Sequence, residues 1–105
     1  MAAKDKEIIG ARLAYAIHSI LAENKKSKKY GKIESIRGLA SAARMEYRII
    51  QLVAAGKKNP QFSTIVAIAD GFGMTVSEFT AYFDRVSEDT AIKWLTEKNI
   101  KPKKK

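Results

Sequence analysis

Ile9, Leu13, Ile17, Ile20 and Leu21 recur at three- and four-residue intervals, the spacing that stacks side chains on one face of an α-helix. Blocks of the same kind follow along the chain, and none alternates apolar with polar residues as a half-buried strand does. A chain patterned this way is expected to be all-α, with five to six short helices closing on one core. The first helix runs from residue 4 to about 23 and ends at Asn24, where the lysine-rich stretch KKSKKYGK reads as an exposed loop.

Ser35 is a natural N-cap for a second helix carrying Ile36, Leu39, Ala40 and Ala43, although Gly38 weakens it. Residues 46 to 55 form a third, with Met45, Ile49, Ile50 and Val53 on one side and Tyr47, Arg48, Gln51 and Ala55 on the other. Gly56 stops it, and Pro60 keeps the following segment out of helical conformation. A fourth helix starts at Ser63, places Ile65, Val66, Ile68 and Ala69 inward, and ends at Gly71 and Gly73. Thr75 and Glu78 have the spacing of a capping box for a fifth, with Val76, Phe79, Tyr82 and Phe83. Ser87, Glu88 and Asp89 open a sixth that holds Ile92, Trp94 and Leu95. The expected organisation is a domain over residues 1–86, a C-terminal helix over 87–99 as a candidate dimer contact, and a basic disordered tail over 100–105.

With 105 residues, 46% of them hydrophobic, the chain can close one core without staples. It has no cysteine, which excludes disulfides, thiolate metal sites and cysteine nucleophiles, and His18 is the only histidine, so no metal or cofactor is expected. No apolar run approaches the roughly 20 residues of a bilayer span, and no secretion signal opens the chain, which points to a cytoplasmic protein away from membranes. Neither a nucleotide-binding glycine loop nor a nucleophile paired with a base is present, so an enzyme is not expected.

Charge points to a partner. The net charge is +9, and it is unevenly placed: residues 25 to 62 carry ten bases against two acids, residues 63 to 97 two bases against six acids, and residues 98 to 105 five bases. A surface that served solubility alone would mix its signs, whereas a contiguous basic third suits a polyanion.

Two short helices joined by a tight turn, the second with a polar outer face, have the shape that enters a DNA major groove. The segment also resembles the XRE family, the phage repressor and Cro type of helix-turn-helix protein. The matching residues are Ser35, Leu39-Ala40, Ile50, Val53, Gly56-Lys57-Lys58-Asn59-Pro60, Ile65, Ile68-Ala69, Gly73 and Val76-Ser77-Glu78-Phe79. The resemblance implies a repressor-like domain on double-stranded DNA, with Glu46, Tyr47, Arg48, Gln51 and Leu52 toward the bases. It implies phosphate contacts from Ser35, Arg37, Arg44, Lys57, Lys58 and Asn59; separately, the spare apolar surface that Ile92, Trp94 and Leu95 give the sixth helix leads us to expect a homodimer. Departures are visible: Ile36 stands where the family often has glutamine, Arg44 where the turn usually has glycine, and Ala54 where many members have glutamate.

Plainer readings stand beside these. Arg48 and Gln51 suit a solvated helix face, and Lys25, Lys26, Lys28, Lys29 and Lys32 a solubilising loop. His18 reads as structural or exposed, and Tyr82, Phe83 and Trp94 as core or dimer residues in the acidic third. The competing function is a protein-interaction module, such as an antitoxin, whose last two helices hold a protein partner. A basic RNA binder is a third reading, without the strands of the sheet-based RNA modules.

Overall fold

The computed structural model describes residues 3–27 and 31–100, with side-chain surroundings for residues 6–27 and 31–97. It is all-α, with six helices: α1 (Ala3–Ser27), α2 (Ile36–Ala43), α3 (Tyr47–Ala54), α4 (Phe62–Gly71), α5 (Val76–Arg85) and α6 (Glu88–Ile100). No helix among the described residues is long and apolar enough to cross a membrane. The expected tail starts at Ile100, which is instead the last residue of α6; residues 101–105, together with Lys28 and Lys29, lie outside the described residues.

Burial follows the apolar stripes. Leu13, Ile17 and Ile20 of α1, Leu39 of α2, Ile50 and Val53 of α3, Ile68 of α4 and Phe79 of α5 make one core, and among the described residues no polar side chain is buried. Phe79 is fully buried and stacks on Phe72, with ring centroids 6.3 Å apart. A second apolar cluster joins Ala11 and Ala16 of α1 to Val86 and Ala91, with Trp94 and Leu95 packed against it. Small residues on α1 let α6 approach closely, and that pair makes the most extensive helix contact of the fold.

The helix starts obey local chemistry. Ser35 Oγ accepts from the Gly38 amide at 3.0 Å. Thr75 and Glu78 close a reciprocal capping box at 3.0 and 2.9 Å, and Ser87 Oγ accepts from the Thr90 amide at 3.1 Å. Gly38 does not break α2, because a Cβ there would come within 3.1 Å of Ser35 Oγ, the atom that caps the helix. Gly71 serves packing instead. A Cβ at this position would lie 3.1 Å from the Ala43 backbone nitrogen and 3.2 Å from Leu39, so its absence lets α2 and α4 cross at backbone contact.

Two sequence readings need correcting. α1 does not end at Asn24 but continues through Lys25 and Lys26 to Ser27. Lysine is a good helix former, and two cations in a last turn interact favourably with its exposed carbonyls. Asn24 still marks the return of the chain, since its side-chain amide donates to the Ile33 carbonyl at 2.8 Å. α4 begins at Phe62 rather than Ser63, with Gln61 at the cap position and no side-chain bond there.

Candidate nucleic-acid interface

α2 and α3 are joined by Arg44, Met45 and Glu46. Arg44 adopts the left-handed conformation, φ 58° and ψ 42°, in which the Met45 amide turns back to the Ala40 carbonyl at 3.0 Å. This is the backbone geometry for which glycine is suited, so the turn keeps its shape with arginine in that place. Glu46 follows in extended conformation as the N-cap of α3, with no side-chain capping bond, and its side chain is exposed.

α3 then divides cleanly. Ile50, Val53 and Ala54 are buried, which turns Arg48 and Gln51 outward, three residues apart and on one face. Leu52 is half-buried at the rim. Tyr47 is half-buried against the core, and the Arg37 guanidinium of α2 lies 4.1 Å from the centre of its ring. A residue expected on phosphate and a residue expected on bases therefore meet, in a cation–π contact that orients the arginine at the mouth of the two helices.

Exposed cations surround this unit. Arg37, Arg44, Arg48, Lys57 and Lys58 are all exposed. Among the described residues, Arg44, Arg48, Lys57 and Lys58 enter no side-chain hydrogen bond or ion pair. An intrahelical pairing of Arg48 with Glu46 or Gln51, which would have made it a structural residue, is not formed. At the start of α2, Ser35 satisfies the amides of Gly38 and Leu39 through its hydroxyl and its carbonyl. The amides of Ile36 and Arg37, the first two of α2, have no partner within the helix at that positive end.

After α3 the fold supplies partners of its own. The Lys57 amide donates to the Leu52 carbonyl at 2.9 Å, so Lys57 offers its side chain and not its backbone. Asn59, expected on phosphate, donates its amide to the Lys6 carbonyl at 3.3 Å and ties the α3–α4 connection to α1. Its Oδ1 stands where a Cβ on Gly10 would come within 2.9 Å, so Gly10 and Asn59 are fitted to each other.

Two supporting residues carried no clear signal in the sequence. His18 places Nε2 3.0 Å from the Ala54 carbonyl at the end of α3. Arg12 reaches the end of α5, with Nε 2.8 Å from the Val86 carbonyl and a second nitrogen 3.3 Å from that of Phe83.

No model of a protein family, no curated protein and no solved structure matches this chain. Geometry and charge are therefore what bear on its function. Together the surfaces of α2, the turn, α3 and the start of the next loop offer five exposed cations, an outward amide side chain on Gln51 and an aromatic ring under an arginine. That set can neutralise phosphates and present a bidentate donor, and it offers no nucleophile–base pair.

Proposed function

We propose that this chain is a sequence-specific double-stranded DNA-binding regulator of the XRE type, with α3 as its recognition helix. The observation that carries the proposal is the free outward guanidinium of Arg48 on a short helix whose opposite face is locked into the core by Ile50 and Val53. A rigid helix with a free fork-shaped donor fits the major groove, where guanine presents two acceptors, O6 and N7. Arg44, Lys57, Lys58 and Arg37 flank it as phosphate contacts, Glu46, Gln51, Leu52 and Tyr47 lie nearest the bases, and Ser35 holds the helix start that faces phosphate. No catalytic role is part of this reading.

A selection of bound duplexes from a random pool, followed by binding at several salt concentrations, tests it. Recovery of a two-fold symmetric sequence is expected, with a log–log salt slope of about −0.9 for each phosphate contacted. On that duplex Arg48→Ala should cost about 1–3 kcal/mol and on scrambled DNA much less, because a base contact is lost only where the right base is present. Arg48→Lys keeps the charge but not the fork. A flat salt response, or an equal Arg48→Ala loss on both duplexes, would remove α3 from base reading.

A further inference from the structure

Taking α3 as the recognition helix, we infer that His18 and Trp94 are positioning residues that clamp its C-terminal end, so that α6 helps to set the pose of the surface offered to DNA. The inference starts from an accounting of carbonyls. A helix ends with carbonyls that have no partner within the helix, and each must be met by something else. In α3 the Gln51 and Leu52 carbonyls accept from Ala55, the Leu52 carbonyl accepts also from Lys57, and the Val53 carbonyl accepts from Gly56. The Ala54 carbonyl is met from another element, by His18 Nε2 at 3.0 Å. A carbonyl can only accept, so Nε2 carries the proton and donates.

His18 is in turn backed by α6. Its ring lies 6.4 Å from that of Trp94, centroid to centroid. Trp94 also covers the glycine that ends α3: a Cβ on Gly56 would come within 3.1 Å of the indole, and Gly56 holds φ +77° in the left-handed region. On its other side Gly56 faces Gly10 of α1. The end of α3 is thus held by an imidazole hydrogen bond and the close approach of a glycine from α1, and by an indole from α6. Arg48 and Gln51 stand one to two turns before that end, and a frayed last turn would have to be re-ordered each time DNA is bound.

The test uses the full chain and compares His18→Gln with His18→Asn. The glutamine amide nitrogen reaches the position of Nε2, whereas the asparagine nitrogen falls short, so the two variants differ in one hydrogen bond at matched chemistry. In the free protein, amide hydrogen exchange of Ala54, Ala55, Gly56 and Lys57 should quicken about fivefold in His18→Asn and stay near wild type in His18→Gln, with α4 amides unchanged in both. Trp94→Leu should give the same local pattern, and the double variant less than the product of the two single effects. On the selected duplex His18→Asn should weaken binding about fivefold, with His18→Gln restoring it. Unchanged exchange in His18→Asn, or no rescue by His18→Gln, overturns the clamp. Unweakened DNA binding by His18→Asn overturns its positioning role. If the wild type binds no duplex, the DNA reading falls, while the exchange comparison still decides the clamp.

Discussion

At Arg44 local strain and proposed contact fall on one residue. A side chain in the left-handed region costs about 1–2 kcal/mol relative to the ordinary helix region, a cost that glycine does not carry. Arg44→Gly should therefore raise stability by about 1 kcal/mol, read as a higher urea midpoint at unchanged slope. The same change removes an exposed cation and should weaken all duplexes alike. A gain in stability with unchanged binding would leave Arg44 as a strained turn residue without a phosphate partner. Tyr82 offers a measurement of a different kind. Its hydroxyl donates to Glu23 Oε1 at 2.8 Å, and this bond, then burial, then the Glu23 charge, raise its pKa above 10.0 against an opposing pull from Arg85. The folded value lies above the unfolded one, so the contribution to stability is complete below the unfolded pKa and is lost as pH rises through the folded value. An ultraviolet titration should show Tyr82 ionising late, and Glu23→Gln should bring it back toward the ordinary range. Identical titrations for both proteins would mean that the Tyr82–Glu23 bond does not persist in solution.

Each element shows what a sequence pattern can and cannot reveal. The stripes on α1, α3 and α5 were legible, because periodicity says which face is apolar, and the caps at Ser35, Thr75 and Ser87 were legible because they involve residues three apart. Of the residues that the same periodicity puts outward on α3, Arg48 and Gln51 are exposed, whereas Tyr47 packs against the core. Partners distant in sequence were hidden. Arg12 acts on carbonyls 71 and 74 residues away, Asn59 on one 53 residues away, and His18 on one 36 residues away. No local spacing encodes such pairs. α6 was read as holding spare apolar surface because its stripe says nothing about what covers it, and α1 covers most of it. Arg12 provides the element-scale prediction. Its guanidinium meets the last carbonyls of α5 and lies 4.3 Å from the Phe83 ring centre, a cation at the negative end of a helix. Arg12→Ala leaves the partly buried Val86 carbonyl unmet and the Phe83 carbonyl with the Val86 amide alone, and should cost about 1.5–3 kcal/mol in denaturant unfolding. Arg12→Lys should recover only part, since lysine lacks the fork that spans both carbonyls. A loss within a few tenths of a kcal/mol would show that water replaces the contact freely.

Across the whole molecule, positive and negative charge are separated along the chain. The basic third of the chain forms α2, α3 and the connections around them, and the acidic third forms α4, α5 and most of α6, so phosphate is attracted to one region and repelled from the other. This polarity bears on how two copies would assemble. The homodimer expected through α6 would have needed Ile92, Trp94 and Leu95 together, yet Trp94 and Leu95 pack against the second apolar cluster, and of these three Ile92 alone, 45% exposed, stands out. One isoleucine supplies a small part of the roughly 800 Å² per partner that a stable interface buries. Pairing is therefore proposed to come from DNA, which would hold two copies on half-sites one helical turn apart, about 34 Å, and so make their meeting effectively intramolecular. Sedimentation at micromolar concentration should show a monomer that Ile92→Asp leaves unchanged. Titrated onto a duplex with both half-sites, the chain should reach two copies per duplex, and inserting half a turn between the half-sites should abolish any cooperativity. A dimer in the absence of DNA that Ile92→Asp dissociates would restore α6 as the contact and overturn this order of assembly.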